Sequence, residues 1–405
     1  MNNTFPSLNE QLDLISRGAD EIIPVEELVK KIEKSIETKT QLRIKLGADP
    51  SRPDLHIGHA VVLQKLRDFQ DLGHKAILII GDFTAMIGDP SGRSKTRPPL
   101  TLEDTRENGQ SYFEQAGRVL SKDNIEIRYN SEWLDKMSFT DVIKLSSNYT
   151  VSQMLERDDF HKRFEGETPI SLHEFLYPLA QGKDSVAIES DVELGGTDQK
   201  FNLLVGRELQ RANGMAPQFI MTFPLLVGID GVEKMSKSLG NYIAFTDTPQ
   251  DMFGKTLSIP DSAMYTFYKL ALFKNDIDLK EIQDKLKSGE LHPRESKREL
   301  ARGITARYYS AEEAMNAQEE FDKIFIKKEV PEDIESFIVK NPILILDLIV
   351  DAKLSASKGE ARRLIQGGGV TLNGEKINDI NFMFDGIKES ILKIGKRKFL
   401  KLTIN

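Results

Sequence analysis

LRIKLGADPSRPDLHIGHAVVLQKLRDFQDLGHKAILIIGD, residues 42–82, decides the fold, because its apolar residues change period twice. Leu42 to Ala48 reads as a strand and Ile57 to Leu72 as an amphipathic helix. Lys75 to Asp82 reads as a second strand, buried on both faces since Ala76-Ile-Leu-Ile-Ile80 has no polar side. Strand, crossover helix and strand make a β-α-β unit, which sets its strands parallel. Both strands leave through glycine, at Gly47 and Gly81.

The alternation continues outward. A helix over 102–120, a strand near 125–129, a helix over 198–212 and a strand over 218–226 extend it, so the fold class is α/β with a doubly wound parallel sheet. Such sheets bind ligands beyond the carboxyl ends of their strands. After residue 247 the pattern turns helical, through 249–257, 261–272, 278–286 and 293–321. KKEVPEDIESFIVKNP, residues 327–342, is charged and carries two prolines, as a linker does. GGG at 367–369 and NGE at 373–375 then mark turns in a small α+β unit. The expected division is a sheet-bearing domain with an insertion over 1–247, a helical domain over 248–325, a linker over 326–340 and a terminal domain over 341–405.

Composition narrows the chemistry. The 405 residues include no cysteine, which excludes disulfides and thiolate metal sites, and six histidines are left for any metal. No tightly bound metal is expected. The longest aliphatic runs are strand-sized and Asp347 interrupts the apolar stretch 342–350, so no membrane span is expected. MNNTFPSLNEQLDLISRGADE lacks the basic and then apolar order of a secretory signal, and a cytoplasmic location is the expectation. A net charge of -8 argues against a protein that coats nucleic acid, yet residues 341–405 carry +4 and residues 1–340 carry -12. A basic tail on an acidic body points to one localised polyanion contact.

HIGH, residues 56–59, puts His56 and His59 on one side of a helix's first turn, where unpaired amides favour an anion, and Gly58 leaves room for close approach. Two imidazoles there can hydrogen-bond a phosphate. Alone, the pattern fits a helix cap beside a surface histidine at least as well. Downstream, GVEKMSKSLGN, residues 231–241, brackets Met235 and Ser236 with Lys234 and Lys237 in a loop with glycine on both sides. Two lysines on a loop can close over a polyphosphate and offset the charge of departing pyrophosphate. A lone K-x-x-K loop is usually a solvated turn; the two motifs in this order on an α/β fold are far more specific.

HIGH followed by KMSKS resembles the signature of the class I aminoacyl-tRNA synthetases. The likeness extends through LGADP (46–50), IGDPSG (87–92), EFLYPLAQGKDS (174–185), ELGGTDQKFN (193–202) and KMSKSLGN (234–241), so the chain resembles the bacterial tyrosyl-tRNA synthetases along nearly its whole length. The resemblance implies a Rossmann-type catalytic domain over 1–247 and a helical anticodon-side domain over 248–325. It implies activation of L-tyrosine by ATP, carried with Mg2+, to tyrosyl-adenylate and pyrophosphate. Transfer to the 3′ end of tRNA(Tyr) then follows, in a homodimer. His56, His59, Lys234 and Lys237, with Arg93 and Arg97 of the loop GDPSGRSKTR, fall where the family contacts phosphate and pyrophosphate. Gly47, Asp49, Ser51, Gly58, Gly196 and Asp198 fall at ATP-binding positions, Asp198 on the ribose. Lys45, Asp89, Tyr177, Gln181, Asp184 and Gln199 fall in the amino acid pocket, where Asp184 accepts from the phenol hydroxyl. Lys45 stands where some relatives have tyrosine. Lys183 stands where many have tyrosine; pointing inward it would pair with Asp184, alter its hydrogen bonding and put the exact substrate in doubt, whereas pointing outward it changes nothing.

LSASKGEARRLIQGGGVTLNGEKIND, residues 354–379, resembles the S-four-type RNA-binding domain named after a ribosomal small-subunit protein. Lys358, Arg362 and Arg363 make a cationic helix edge suited to RNA phosphates, and Lys393, Lys396, Arg397, Lys398 and Lys401 add to it. The alternative is a synthetase paralogue that activates another aromatic amino acid or serves inhibitor resistance.

Overall fold

The computed structural model describes residues 5–50, 54–89, 101–326, 335–339, 342–386, 389–395 and 398–404. Ser51, Arg93, Arg97, Lys396 and Arg397 lie outside the described residues. The chain divides into two compact units, Met1–Ser310 and Ala311–Asn405.

In the first unit the strands are β1 (Glu21–Ile23), β2 (Arg43–Ala48), β3 (Lys75–Ile80), β4 (Ile125–Tyr129), β5 (Val192–Gly196) and β6 (Phe219–Phe223). They form one sheet in the order β1-β6-β5-β2-β3-β4, with β1 antiparallel at the edge and the rest parallel. The chain winds from β2 through β3 to β4 and returns on the other side of β2 as β5. This is the doubly wound arrangement, and the crevice where its direction reverses lies beyond the carboxyl ends of β2 and β5. Ile44, Ala76, Ile77, Ile79, Ile80, Val192 and Phe219 have no exposed surface, which is why β3 is an apolar run and not an alternation.

The helix Ile57–Asp71 buries Ile57, Ala60, Val61, Leu63, Leu66 and Phe69, the stripe that its spacing requires. The helical segment after residue 248 packs into the same core, where Met252, Phe267, Tyr268, Leu300 and Ile304 join Ile44 and Leu66 in one buried cluster. Two expectations are corrected here. The helix expected over 102–120 stops at Ala116, capped by Gly117. The helix expected over 293–321 is two, Pro293–Tyr308 and Ala311–Phe321. Tyr309 breaks it, leaving helical geometry to donate its hydroxyl to the Asp247 carbonyl and lie under the Arg118 guanidinium.

The second unit has the strands β7 (Ser336–Val339), β8 (Ile343–Leu344), β9 (Val370–Leu372), β10 (Glu375–Lys376), β11 (Met383–Phe384), β12 (Glu389–Ile394) and β13 (Lys398–Ile404). Five form a sheet in the order β10-β9-β12-β13-β7, and β8 pairs with β11. β7 falls inside the stretch read as a linker. It pairs parallel with β13 and alternates, with Val339 buried, Phe337 half-buried and Ile338 exposed. Asn373 and Gly374 both have positive φ, 51° and 88°, as an Asn-Gly hairpin turn between β9 and β10 requires. Lys358, Arg362 and Arg363 are exposed on the helix Lys358–Gln366, and Lys358 pairs with Asp347 at 2.5 Å. No described helix is long and apolar enough to cross a membrane.

Asp82, at the exit of β3, has no exposed surface and joins that exit to the exit of β4. Its Oδ1 accepts from the backbone N–H groups of Ser131 at 2.9 Å and Phe83 at 3.0 Å, and its Oδ2 from the Ser131 hydroxyl at 2.7 Å. Asp82→Ala leaves the Ser131 N–H and hydroxyl without this partner, while Phe83 N–H keeps Asn130 Oδ1 at 3.0 Å, at an expected cost of about 1–3 kcal/mol. Chemical denaturation measures the difference, and an unchanged midpoint would contradict the role.

Candidate active site

Beyond the carboxyl ends of β2, β3 and β5 lies a cleft of about 380 Å3, within the range of small-ligand sites. Gly47 and Asp49 leave β2, Gly81 and Thr84 follow β3, and Gly195 and Gly196 end β5. A short turn, Thr197–Gln199, then leads into the helix Lys200–Ala212. Gly47, Asp49, His56, Gly58, His59, Asp89, Tyr177, Gln181, Asp184, Gly196, Asp198, Gln199, Lys234 and Lys237 all line this one space. Lys45 does not line it and has no exposed surface. Lys358, Arg362 and Arg363 belong to the other unit, and Ser51, Arg93 and Arg97 lie outside the described residues.

HIGH and the segment that follows KMSKS, far apart in sequence, meet through the backbone. His56 forms a bridge with Ala244, flanked by Ile57 N–H to the Ile243 carbonyl at 3.0 Å and Phe245 N–H to the Leu55 carbonyl at 3.0 Å. The His56 backbone N–H donates to His59 Nδ1 at 3.1 Å, and the two rings stand 3.8 Å apart. An accepting Nδ1 fixes His59 as the neutral tautomer with its proton on Nε2. Burial takes His59 down to about 4, helped by the Lys237 charge. Burial, then His59 and Lys237, hold His56 well below the usual imidazole range. At neutral pH the pair offers N–H groups and no charge. A Cβ at Gly58 would stand 2.9 Å from His56 Nδ1, so a side chain there would displace the ring.

The KMSKS loop is braced from below. Met235 is buried and its N–H donates to the Leu226 carbonyl at 2.8 Å. Asn241 Oδ1 accepts from Ser236 N–H at 2.8 Å, while its Nδ2 donates to Asp230 at 2.6 Å and to the Lys234 carbonyl at 3.2 Å. Lys234 Nζ lies 3.1 Å from Asp198 Oδ2. Lys237 Nζ lies 3.2 Å from the Tyr112 hydroxyl and 5.0 Å over its ring. Both lysines therefore reach the cleft on partners that a polyanion can replace.

At the other end the carboxyl groups of Asp49, Asp89 and Asp184 gather. Asp49 accepts from the Thr84 hydroxyl at 2.7 Å and the Tyr177 hydroxyl at 2.8 Å. Gly81 permits this, since a Cβ there would fall 2.1 Å from Asp49 Oδ1. Asp184 accepts from Trp133 Nε1–H at 2.9 Å and Asn130 Nδ2 at 3.3 Å. Burial pushes Asp49 up to about 7, with the Asp89 and Asp184 charges adding to it. Burial likewise pushes Asp184 up to about 7, against the opposing charge of Lys45. Asn202 Nδ2 donates to Gln181 at 3.1 Å and to Gln199 at 3.0 Å, and Gln199 Nε2 donates to Asp89 at 2.9 Å. A space holding this many acceptors fits a cation with several N–H groups. Lys183 does not line the cleft, and its charge acts on Asp141.

Trp133, Thr84 and Tyr112 belong to no motif and escape sequence reading. The one available signal is that Trp133 is the chain's single tryptophan, three residues after Asn130. Among the described residues no group of three or more His, Asp or Glu side chains is placed to hold a metal ion.

Residues 37–326 match the family of tRNA synthetases class I (W and Y), and residues 320–402 match the Tyrosine--tRNA ligase SYY-like C-terminal domain. The chain is 58% identical over 400 residues to the Tyrosine--tRNA ligase of Chlorobaculum tepidum, covering 98% of each. It is 52% identical over 394 residues to that of Thermotoga maritima, covering 97% of each. Among solved structures it is similar to the tyrosyl-tRNA synthetase of Archaeoglobus fulgidus complexed with L-tyrosine, with a TM-score of 0.64 and 26% identity over 77% of this chain and 99% of that one.

With Asp49 and Asp184 each at about 7, the infrared carbonyl band of protonated carboxyl groups should grow as the ligand-free protein is acidified through neutrality. Asp49→Asn and Asp184→Asn should each remove part of it. A band that appears only in the ordinary carboxyl range, near pH 4, would contradict the burial argument.

Proposed function

The chain belongs to the class I tRNA synthetases, among the tyrosine--tRNA ligases, and from that premise we propose how its cleft carries out the reaction. L-tyrosine and ATP condense to tyrosyl-adenylate and pyrophosphate, and the tyrosyl group then passes to the 3′ end of tRNA(Tyr). The observation that carries this reading is the division of one cleft into an acidic end and a cationic end.

The tyrosine phenol points to Asp184 and donates its hydroxyl proton to that carboxylate. The α-ammonium lies among Asp89, Tyr177 and Gln181, with Asp49 holding the Tyr177 hydroxyl. This leaves the substrate carboxylate beside Gln199, facing the α-phosphorus of ATP. One carboxylate oxygen bonds to phosphorus as the bond to the bridging oxygen breaks, and that electron pair leaves with pyrophosphate. No covalent enzyme intermediate and no obligatory acid or base is involved, so the rate comes from positioning and charge stabilisation.

His59 donates from Nε2 and His56 from its own ring to phosphate oxygens. Lys234 and Lys237, with Arg93 and Arg97, offset the charge of the departing pyrophosphate, and the Ser51 hydroxyl serves the same group. Asp198 takes the ribose hydroxyls in exchange for Lys234, which frees that lysine for the phosphates. Gly47, Gly58 and Gly196 let the nucleotide approach the backbone. Mg2+ arrives with ATP as part of the substrate.

Exposed Lys358, Arg362 and Arg363 support tRNA contact by the second unit. Exposed Phe139, Ile143, Val151, Phe164 and Leu172 support a homodimer through the insertion between β4 and β5. The location that fits is the cytoplasm, where tRNA is charged.

Exchange of labelled pyrophosphate into ATP tests the reading, with tyrosine compared against phenylalanine, tryptophan and 3-hydroxytyrosine. Tyrosine should drive it best. His59→Ala should lower kcat about 10²–10³-fold, the usual effect of losing one such donor. Asp184→Asn should raise the KM for tyrosine and narrow its advantage over phenylalanine. Preference for another amino acid would overturn the substrate, and absence of exchange with any of them would overturn the reaction.

A further inference from the structure

Below the amino acid pocket lies a polar cluster that the proposed reaction does not touch. Lys45 on β2 and Glu193 on β5 are direct partners across the parallel strands. Their side chains are 0% and 1% exposed, and Lys45 Nζ stands 2.7 Å from Glu193 Oε1. An ammonium has three N–H donors. Lys45 directs them to Glu193, to the Gln181 main-chain carbonyl at 2.9 Å and to the Ser185 hydroxyl at 2.9 Å. None is left for a ligand, so Lys45 acts on the substrate through its neighbours.

Glu193 accepts in turn from the Ser185 hydroxyl at 2.9 Å, from the Gln218 side-chain amide and from Gln181 Nε2 at 3.3 Å. The last contact sets the Gln181 amide. With Nε2 drawn to Glu193, Oε1 is the end that meets Asn202 Nδ2 at 3.1 Å, in a side chain that lines the cleft. The reverse orientation would present N–H groups to an incoming ammonium. The helical turn that Lys45 grips at Gln181 and Ser185 also carries Asp184.

We infer that Lys45 and Glu193 are positioning residues for amino acid recognition: their buried ion pair fixes which end of the Gln181 amide meets the α-ammonium and holds the turn that presents Asp184. This rests on the tyrosine reading above. Stability does not require such a pair, because replacing both partners of a buried ion pair with neutral groups of similar volume is often neutral or stabilising, whereas removing one strands a charge. Lys45 also opposes the effect of burial on Asp184, favouring the ionised carboxylate that accepts a phenol proton.

The test is the double variant Lys45→Met/Glu193→Gln, followed by thermal unfolding and by pyrophosphate exchange at several pH values. The variant should fold. Its KM for tyrosine should rise by about tenfold, the scale of one hydrogen bond, while its KM for ATP stays within about twofold. The acid limb of kcat/KM for tyrosine should move to higher pH, because the Lys45 charge lost from beside Asp184 outweighs the opposing Glu193 charge lost with it. A folded double variant with the parent KM and the parent pH profile would overturn the inference and leave the pair as scaffold. Should the double variant fail to fold, Glu193→Asp decides. It keeps the charge but withdraws the carboxylate from Gln181, so the same rise in KM for tyrosine is expected and an unchanged value would overturn the inference. Absence of tyrosine-dependent exchange in the parent protein is a separate failure, of the tyrosine reading itself.

Discussion

Asp49 and Asp184 are carboxyl groups set deep in the cleft, Asp184 buried and Asp49 half-buried, and much of the first unit is arranged to keep them there. A carboxylate in such a place must either take up a proton or be given hydrogen-bond donors. Each receives two: Thr84 and Tyr177 for Asp49, Trp133 and Asn130 for Asp184. The donors are themselves held, since Asn130 also bonds to Thr84 at 3.0 Å and accepts from Phe83 N–H at 3.0 Å. Asp82 ties the two segments together from behind. Two donors each fall short of full compensation, so both groups sit at about 7, neutral or charged according to what lies beside them. A pocket poised in this way gains its charge when a cation and a hydroxyl arrive.

The opposite end of the cleft works by the reverse logic. Burial strips the charge from His56 and His59, which leaves N–H donors where a phosphate is to rest. Positive charge is supplied by lysines on a loop, each resting on a partner of its own, Asp198 or Tyr112. The sheet makes both ends possible. Because its order reverses between β2 and β5, loops from β2, β3 and β5 converge on one crevice, and the bridge from His56 to Ala244 brings the lysine loop to the same place.

Most of this sheet was legible because parallel strands buried on both faces leave an unmistakable pattern, as at Ala76 to Ile80. β1 left none: Glu21–Ile23 is three residues long, and edge pairing with β6 is what makes it a strand. β7 was hidden by the charge and proline around it, and the break at Tyr309 by tertiary contacts that outweigh helical periodicity. The candidate site was legible where catalysis needs unusual residues at fixed spacing, as in HIGH and KMSKS. Trp133 and Thr84 were not, because a hydrogen bond donated to a buried carboxylate comes from whichever element the fold brings near. Lys45 shows the limit most clearly. Its position in the sequence suggests a ligand contact, yet Glu193, whose pairing across β5 satisfies the ammonium, is visible only once the strands are aligned.

Calorimetric titration with L-tyrosine, repeated at pH 6 in buffers of different ionisation enthalpy, tests the central claim most directly. Free Asp49 and Asp184 are mostly protonated at that pH, and a phenol that donates to Asp184 and an ammonium placed beside Tyr177, whose hydroxyl Asp49 holds, favour the ionised form of each. The account predicts release of about one to two protons for each tyrosine bound, declining toward zero as the pH rises above 8. Heats that do not depend on the buffer at pH 6 would contradict it, since the carboxyl groups would then already carry their charge before the substrate arrives.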